Sequence, residues 1–287
     1  MSAELIDGKA ISEKIKLQLK SKIENTSQTG KPPKLSVVLV GDSQASAVYI
    51  RNKETACNLV GIVSEIHRLP ETTTTKEVLS LLEKLNLDQT VHGILVQLPL
   101  PKQIDSESVL LAISPKKDVD GFHPFNMGQL YSYKSENRGC IPCTPKGIMA
   151  LLDESHVAIS GKRCVVIGRS DIVGKPVASL LMERDGTVTI CHSKTVDLKA
   201  ICLSADIIIS ATGMRNTVTA DMVKSGATVI DVGMNRDENG KLCGDVDFEA
   251  VKEVAGKITP VPGGVGPMTV AMLMENCYQA YLNQQKV

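Results

Sequence analysis

Short apolar runs alternate with segments of helical spacing along most of the chain. The runs are rich in β-branched residues and several end at a glycine or proline, as buried parallel strands do. We predict strands at residues 35–40, 62–69, 92–98, 164–167, 187–191, 205–210 and 228–232. Between them, apolar residues recur at the three- and four-residue intervals of amphipathic helices. We predict helices at residues 9–24, 45–60, 74–85, 106–113, 145–154, 177–182 and 269–282. Thr74 and Glu77 form a capping box at the start of the third of these helices.

Regular alternation of strand and helix predicts an α/β fold with parallel sheets. Residues 125–145 interrupt the alternation, because they are less periodic and richer in Gly, Pro, Ser and Asn. We therefore predict two α/β domains. The first comprises residues 1–143, completed by a C-terminal helix at 269–287, and the second comprises residues 144–268. A further stretch, residues 260–267, is too rich in glycine and proline for regular structure and suits close approach to a ligand.

The stretch KRCVVIGRSDIVGKP, residues 162–176, carries a ligand-binding pattern. An apolar strand ends at Gly168, a polar turn follows, and a helix with Pro176 in its first turn begins near Gly174. This arrangement presents backbone N–H groups to a phosphate at the helix N-terminus. It predicts a Rossmann-like, doubly wound parallel sheet in the second domain. The glycine spacing matches neither G-x-G-x-x-G nor the Walker pattern, so a turn that binds nothing remains an alternative.

The following strand, residues 187–191, bears on the choice of dinucleotide. NAD sites usually place an acid at the end of this strand, against the ribose hydroxyls. Here the strand is followed by His192, Ser193 and Lys194, and the first acid is Asp197. A hydroxyl, an imidazole and a cation, together with Arg169, suit a 2′-phosphate better than a bare ribose. We predict NADP as the cofactor, with an ordinary polar strand end as the alternative.

Composition restricts the class of partner. The chain of 287 residues has 32 Lys plus Arg and 32 Asp plus Glu, so no net charge favours nucleic acid or an anionic membrane. The N-terminus lacks the features of a signal peptide, and we expect a cytoplasmic protein. Eight scattered cysteines agree with a reducing compartment. Cys140 and Cys143 form a C-x-x-C without a second pair, so we predict no metal site, with zinc binding or a redox role as the alternative.

Four polar residues of the first domain are candidates for chemistry. Tyr49 and Lys53 lie one helical turn apart on a face that continues to apolar residues. Because apolar surroundings disfavour a charged amine, Lys53 could act as a base near neutral pH. A lysine that merely extends its head to water is the alternative. Gln97 ends an apolar strand and Asp120 lies in an acidic turn, where either could bind substrate or serve as a buried hydrogen-bonding residue.

The sequence resembles the bifunctional methylenetetrahydrofolate dehydrogenase/cyclohydrolase family over nearly its whole length. The resemblance rests on eight segments in the family's order: YIRNK, VHGILVQLPLP, KDVDGF, CTPKGIM, GRSDIVGKP, CHSKT, GDV and PVPGGVGPMTVAML. It implies oxidation of 5,10-methylenetetrahydrofolate by NADP and hydrolysis of the methenyl product to 10-formyltetrahydrofolate. It further implies an active-site cleft between the two domains, a homodimer, and a role in one-carbon metabolism and purine biosynthesis.

The resemblance also assigns roles to residues. Lys53 is the catalytic lysine, Gln97 hydrogen-bonds and tunes it, Tyr49 orients the folate, and Asp120 holds the pterin ring. The implied substrate-binding residues are Tyr49, Lys53, Gln97, Leu98, Asp120, Pro262 and Gly263. The implied cofactor-binding residues are Gly168, Arg169, Ser170, Gly174, His192, Ser193, Gly233, Met234 and Thr269, with Arg169 and Ser193 on the 2′-phosphate. Met234 stands where the family commonly has isoleucine.

Two other functions are compatible with part of the pattern. An NADP-dependent dehydrogenase of another substrate, such as an amino-acid or shikimate-type dehydrogenase, would explain residues 168–176 but not the Tyr49, Lys53, Gln97 and Asp120 set. A dinucleotide-sensing protein without turnover would not need acid–base residues. Absorbance separates these functions, because only the folate enzyme forms and then consumes a methenyl band.

Overall fold

The structure is a computed structural model that describes residues 2–27, 31–41, 44–132 and 138–285, except for the side chains of residues 27 and 44–49. The chain divides into two compact units. Unit 1 contains Met1–Ser12 and Thr144–Thr269, and unit 2 contains Glu13–Cys143 and Val270–Val287. Among the described residues, no helix has the length and apolar character needed to cross a membrane.

The described residues form eleven strands, most of them short. They are β1 Glu4–Leu5, β2 Lys34–Val40, β3 Val63–Leu69, β4 Gly93–Val96, β5 Arg163–Ile167, β6 Thr187–Cys191, β7 Ile207–Ser210, β8 Thr228–Asp231, β9 Asn235–Arg236, β10 Leu242–Cys243 and β11 Lys257–Ile258.

The same residues form ten α-helices and one 3₁₀ helix. The α-helices are α1 Gly8–Ser27, α2 Gln44–Val60, α3 Thr75–Leu87, α4 Ser106–Ala112, α5 Pro124–Gln129, α6 Cys143–Glu154, α7 Gly174–Glu183, α8 Leu198–Leu203, α9 Phe248–Val251 and α10 Val265–Gln284, and the 3₁₀ helix is Ala220–Met222.

Unit 1 is built on a six-stranded sheet in the order β1-β11-β8-β7-β5-β6. Every pair in this sheet is parallel. From β6 to β11 the order is that of a flavodoxin-like, doubly wound sheet, in which the first strand of the unit lies between the second and the third. The order therefore reverses between β5 and β7, and ligands of such folds bind beyond the carboxyl ends of the strands at this point. The predicted α/β class and doubly wound parallel sheet are confirmed.

Burial explains why these strands are apolar throughout. The residues of β7 and β8 are buried on both faces, as parallel strands covered by helices require. Helix α7 follows β5 and buries a nearly continuous surface that includes Val177, Ala178 and Leu181. The edge strand β6 is largely exposed, which matches its two threonines, Thr187 and Thr189.

Unit 2 contains a three-stranded parallel sheet in the order β3-β2-β4. The central strand β2 is buried along almost its whole length, whereas the edge strand β3 is half-exposed. Helix α3 packs Val78, Leu82 and Leu85 into the cluster formed by one face of this sheet. Its predicted capping box is present, since Thr74 accepts the N–H of Glu77 and Glu77 accepts the N–H of Thr74.

Several segments differ from the sequence prediction, and three of these differences have a clear physical cause. Helix α5 lies inside the stretch predicted to be irregular, because Pro124 begins it and His123 accepts the N–H of Phe125 as its cap. Helix α10 begins at Val265, within the glycine- and proline-rich stretch, since Pro267 in a first turn needs no N–H partner.

The N-terminal segment is the third difference. Strand β1 pairs with β11, so residues 1–12 belong to unit 1, whereas the sequence pattern grouped them with residues 13–143. A two-residue strand is too short to show a periodicity, and its partner lies near the other end of the chain. Only long-range pairing assigns it to this sheet.

Candidate active site

The carboxyl edge of the unit 2 sheet gathers polar residues from distant parts of the sequence. Strand β4 ends at Val96, and Gln97 follows it. A parallel bridge joins Ile94 to Asp118, so the segment after Asp118 runs beside the end of β4. Asp120 lies two residues beyond Asp118, just as Val96 lies two residues beyond Ile94. Asp120 therefore follows the segment that runs beside the end of β4, and its carboxyl group is near enough to Lys53 to interact with its charge.

Helix α2 adds the lysine to this edge. The Nζ atom of Lys53 donates a hydrogen bond of 2.9 Å to Oε1 of Gln97. Lys53 is half-buried, and Cys57 and Val60 on the same helix are fully buried. The second side of the Gln97 amide donates to the carbonyl of Leu98 at 2.8 Å. Gln97 is thereby oriented with its oxygen toward the amine, so Lys53 holds a defined position and does not simply extend into water.

Asp120 completes an electrostatic cluster with Lys53 and Gln97. Burial raises the pKa of Asp120 to about 6, the nearby charge of Lys53 opposes this shift, and Asp118 adds to it. The carboxyl group is therefore ionised at neutral pH and protonated in mild acid. The structure thus brings together three of the four candidate residues of the first domain.

The turn that carries Asp120 is held from both sides by buried charged groups. Lys117 donates to the carbonyls of Leu85, Asn86 and Asp88 at 3.0, 2.8 and 2.7 Å, and so closes the C-terminus of helix α3. Burial lowers the pKa of Lys117. These bonds fix the residue that precedes Asp118.

Asp118 itself shapes the turn. Its carboxylate accepts the N–H groups of Gly121 at 3.1 Å and His123 at 2.8 Å, and the side-chain amide of Asn126 at 2.9 Å. From the other side, Asn276 on helix α10 donates to the carbonyl of Val119 at 2.9 Å. The backbone around Asp120 is consequently fixed by a carboxylate and an amide, neither of which was predicted.

Tyr49 and Leu98 are two further predicted substrate-binding residues of unit 2. Tyr49 lies on helix α2, but its side chain falls outside the described part of the structure, so its prediction is untested. Leu98 is half-buried next to Gln97 and forms a cis peptide bond with Pro99.

In unit 1, the two predicted glycines allow close backbone approaches. Gly168 has a φ of +125°, and a Cβ atom there would collide with the carbonyl oxygen of Ala211 after β7. A Cβ atom on Gly174 would collide with the carbonyl oxygen of Gly168. Any larger residue would force the turn open, so the glycines define how tightly it folds against the end of β7.

Ser170 forms the inner part of this turn. Its Oγ atom accepts the N–H groups of Val173 at 3.2 Å and Gly174 at 3.3 Å, at the start of helix α7. The hydroxyl thus satisfies two of the amides that a helix N-terminus leaves without partners. Ser170 is placed at the predicted phosphate turn, with its hydroxyl directed to the helix.

The residues predicted for a 2′-phosphate lie at neighbouring strand ends. Ile167 of β5 pairs with Cys191 of β6, so Arg169 and Ser193 are each two residues beyond a paired position. Both are exposed. An exposed guanidinium and hydroxyl at one sheet edge fit the chemistry of a phosphate group.

In the described segment that follows β6, Asp197 is the first acid. His192 is half-buried and its Nδ1 atom accepts the N–H of Lys194 at 3.2 Å. Asp197, the first acid after β6, accepts the N–H of Ala200 at 3.4 Å and caps helix α8. The donor set therefore suits NADP better than NAD.

The segment after β8 is organised by two buried acids. Asp231 accepts the N–H groups of Gly233 at 2.8 Å, Asp245 at 2.9 Å and Val246 at 3.0 Å. Burial raises the pKa of Asp231 to about 6 against the effect of these bonds. Gly233 is buried and Met234 is exposed. The predicted cofactor residues Gly233 and Met234 thus follow a strand end whose backbone is tightly held.

The remaining predicted residues lie in the glycine-rich segment before helix α10. Pro262 forms a cis peptide bond with Val261, and the carbonyl of Gly263 accepts the N–H of Lys9 at 2.9 Å. Thr269 shares a hydrogen bond of 2.9 Å with Thr144, oxygen to oxygen. Their positions in unit 1 are defined, and their ligand-binding roles stay predictions.

Sequence reasoning missed the buried polar residues that hold these loops. They are Lys117, Asp118, Asn276 and Asp245, all of them at most 5% exposed. Each is a polar residue inside or beside an apolar segment, and this pattern indicates a buried polar side chain that needs a hydrogen-bond partner. Their partners are distant in the sequence, however, so the signal alone identifies no bond.

All eight cysteines are free thiols, Cys140 half-buried and Cys143 buried. Within the described ranges, no group of three or more His, Cys, Asp or Glu side chains could hold a metal ion.

These features define a class: an α/β protein that combines a dinucleotide-type strand–glycine–helix turn with a lysine–amide–carboxylate cluster. Sequence comparison specifies the family. Residues 6–120 match the family model of the tetrahydrofolate dehydrogenase/cyclohydrolase catalytic domain, and residues 142–285 match that of its NAD(P)-binding domain. The chain belongs to the tetrahydrofolate dehydrogenase/cyclohydrolase family.

Individual relatives are similar to this chain over nearly its whole length. The bifunctional protein FolD of Streptococcus pneumoniae serotype 4 is 57% identical over 280 residues, which cover 97% of each chain. The crystal structure of the bifunctional enzyme FolD from Campylobacter jejuni is 48% identical, with a TM-score of 0.95 over 98% of this chain and 99% of that one. The Trypanosoma brucei dehydrogenase-cyclohydrolase, complexed with NADP cofactor and inhibitor, is 39% identical, with a TM-score of 0.95 over all of both chains.

Proposed function

We propose that this protein oxidises 5,10-methylenetetrahydrofolate to 5,10-methenyltetrahydrofolate with NADP and hydrolyses the product to 10-formyltetrahydrofolate. The family and the activities printed for its relatives support both steps. The observation that carries the proposal is the contact of 2.9 Å between Lys53 and Gln97 beside the Asp120 carboxyl group. Neither a shikimate-type dehydrogenase nor a sensor without turnover accounts for the family membership and this cluster together.

In the proposed hydrolysis, Lys53 is the base. The methenyl bridge between N5 and N10 is a cation, which disfavours a second positive charge beside it, so the proposed base is the amine of Lys53 after it has lost its proton in the substrate complex. The neutral amine takes a proton from the attacking water, directly or through a relay. Gln97 holds the Nζ atom in place through its Oε1 atom.

Asp120 complements the same cation. With a pKa of about 6, its carboxyl group is ionised near neutral pH and carries a negative charge close to Lys53. That charge stabilises the positive bridge as it forms during oxidation. We assign Asp120 also to binding of the pterin ring, with Tyr49, Leu98, Pro262 and Gly263 as further substrate-binding residues.

The cofactor is assigned to unit 1. NADP, when bound, supplies the hydride acceptor for the oxidation. The turn from Gly168 to Gly174 places the N-terminus of helix α7 where it can bind the pyrophosphate. Arg169 and Ser193 bind the 2′-phosphate. The remaining assigned cofactor residues are Ser170, His192, Gly233, Met234 and Thr269. Unit 1 residues 144–268 therefore form the NADP-binding domain, and residues of unit 2 form the catalytic domain.

An absorbance assay tests the function. Purified protein with NADP and methylenetetrahydrofolate is expected to produce NADPH and methenyl bands together, after which the methenyl band decays as it is hydrolysed. NAD, and shikimate in place of the folate, are the comparison reactions. Absence of both bands with the folate would refute the proposal, and NADPH formation from shikimate would favour the other dehydrogenase.

We infer that the protein is a homodimer that pairs through unit 2. Strand β3 is at the end of its sheet, so one hydrogen-bonding edge has no strand partner within the described residues. Leu59 and Val63 next to this edge are exposed by 37% and 47%. Light scattering is expected to give twice the chain mass of 30.8 kDa, and Val63→Lys is expected to shift it to the monomer value.

A cytoplasmic location is part of the same proposal. All eight thiols are free, and burial raises the pKa of Cys57 to about 12, which keeps that thiol protonated. Free cysteines are the normal state in a reducing compartment. There the one-carbon product would supply purine biosynthesis.

A further inference from the structure

Asp245 is a fully buried carboxylate at the centre of a hydrogen-bond network in unit 1. Its Oδ2 atom accepts the N–H of Thr212 at 2.7 Å, the hydroxyl of Thr212 at 2.9 Å and the N–H of Gly213 at 3.2 Å. The hydroxyl of Ser210 also donates to Oδ2, at 3.3 Å. One carboxylate oxygen thus holds the whole turn that follows β7.

The other oxygen of Asp245 holds the segment that follows β8. Oδ1 accepts the side-chain amide of Asn235 at 2.9 Å, and the same amide donates to the carbonyl of Gly244 at 3.0 Å. Asp245 is itself fixed by Asp231, which accepts its N–H at 2.9 Å. The carboxylate is therefore a rigid link between the ends of two adjacent strands, since Ser210 of β7 pairs with Asp231 of β8.

These two segments border the switch point of the sheet. A Cβ atom on Gly168 would collide with the carbonyl oxygen of Ala211, the residue just before Thr212. The turn held by Asp245 is therefore one wall of the glycine turn between β5 and α7. On the other side of that turn lies the end of β6, with Ser193.

A dinucleotide crosses such a switch point with its pyrophosphate at the helix N-terminus. If the 2′-phosphate of the adenosine half lies at Arg169 and Ser193, the nicotinamide half extends toward the ends of β7 and β8. We propose that Asp245 is a positioning residue for the nicotinamide half, acting through the Thr212–Gly213 turn and Asn235. This inference rests on the proposed function, because it takes NADP as the dinucleotide.

The test compares two ligands on the full-length protein. NADP occupies both halves of the site, whereas 2′,5′-ADP occupies only the adenosine half. Asp245→Asn keeps the size of the side chain but replaces one acceptor oxygen by a donor. Asp247→Asn is the matched control, because Asp247 lies two residues away and its side chain caps helix α9 by accepting the N–H of Ala250. Thr212→Val keeps the Asp245 carboxylate but removes the hydroxyl bond to it, together with the contacts of that hydroxyl with Thr217 and Met214, and is the milder second variant.

Asp245→Asn is expected to slow hydride transfer in a single turnover by about tenfold or more, because a small displacement of the reacting atoms is costly. It is expected to weaken NADP binding while 2′,5′-ADP binding and the hydrolysis of methenyltetrahydrofolate without NADP are unchanged. Thr212→Val is expected to weaken NADP binding and slow hydride transfer to a smaller extent, again without affecting 2′,5′-ADP binding. Asp247→Asn is expected to match the wild type.

Equal weakening of both ligands would overturn the proposal, since it would indicate a general structural role. Unchanged NADP binding and hydride transfer in Asp245→Asn would overturn it as well. If Asp245→Asn does not fold, the selectivity of Thr212→Val decides. A wild type that fails to reduce NADP with the folate would refute the proposed function instead, and the comparison of NADP with 2′,5′-ADP binding would still test Asp245.

Discussion

At the scale of single residues, Asp120 links the stability of the protein to pH. Its pKa is raised from 3.8 to about 6 by burial, so the folded state favours the protonated form. Its contribution to stability is therefore complete below the unfolded pKa and is lost as pH rises through the folded pKa. The same charge that suits a cationic substrate destabilises the fold near neutral pH.

We expect Asp120→Asn, which is neutral at every pH, to be more stable than the wild type at about pH 7.5 and to lose most of this advantage by about pH 4.5. Urea unfolding midpoints of both proteins across this range measure the difference. Because other carboxyl groups titrate identically in the two proteins, their effects cancel. A difference that does not vary with pH would contradict the assigned pKa.

Lys53 is the residue on which the proposed hydrolysis depends. We expect Lys53→Met to lower the hydrolysis of methenyltetrahydrofolate by about a hundredfold or more, the usual effect of removing a general base. Hydride transfer is expected to remain measurable, because no proton is removed by the lysine in that step. Decay of the methenyl band and formation of NADPH report the two activities separately.

Lys76→Met is the matched control for this variant, since Lys76 is exposed on helix α3 of the same unit. Hydrolysis by Lys53→Met at the wild-type rate, at equal cofactor occupancy, would exclude Lys53 as the base. An equal loss of both activities would assign the lysine to substrate binding.

At the scale of elements, the turn between β5 and α7 is limited by its first glycine. Gly168→Ala would place a methyl group against the carbonyl of Ala211 at a φ of +125°. We expect a loss of about 3 kcal/mol in unfolding free energy from strain and overpacking together, with loss of NADP binding. Gly161→Ala is the control, because Gly161 also has a positive φ but open space around it.

Gly161→Ala is expected to cost only about 1 kcal/mol, the value for a left-handed backbone alone. Denaturant unfolding gives the free energies, and quenching or enhancement of NADPH fluorescence gives the binding. Equal costs at the two positions would show that the contact with Ala211 has no effect on the turn.

Elements whose signals are local could be predicted from the sequence. Helix α3 was located by its capping box, and the β5 turn by an apolar run followed by Gly168. The site was predicted less completely. Lys53 and Gln97 are 44 residues apart, and spacing alone favoured a solvent-directed lysine. The motifs that resemble the family selected these residues, and the fold then placed them in contact.

At the scale of the whole molecule, unit 1 depends on a segment from the start of the chain. Glu4 of β1 forms an ion pair with Lys257 of β11, 253 residues away, and the N–H of Ile6 donates to the carbonyl of Ile258. Ile6 is 1% exposed, whereas its neighbour Leu5 is 55% exposed. The last part of the unit 1 sheet thus forms only when the two ends of the chain meet.

We expect Ile6→Ala to lower the unfolding free energy by about 2 to 4 kcal/mol through lost burial and a residual cavity. Leu5→Ala is the control and is expected to change stability by about 0.5 kcal/mol or less. Urea unfolding measures both. Similar effects of the two variants would mean that the burial of Ile6 contributes nothing to the sheet.

The sequence by itself determined the alternation of strands and helices, the glycine turn and the family. These depend on contiguous residues, whose periodicity and backbone preferences are visible in a single stretch of chain. The tertiary structure alone decided the strand order, the membership of residues 1–12 in unit 1, the meeting of Lys53, Gln97 and Asp120, and the network around Asp245. Each of these depends on which remote groups are buried together, because a buried charge or amide is stable only beside partners that the fold brings to it.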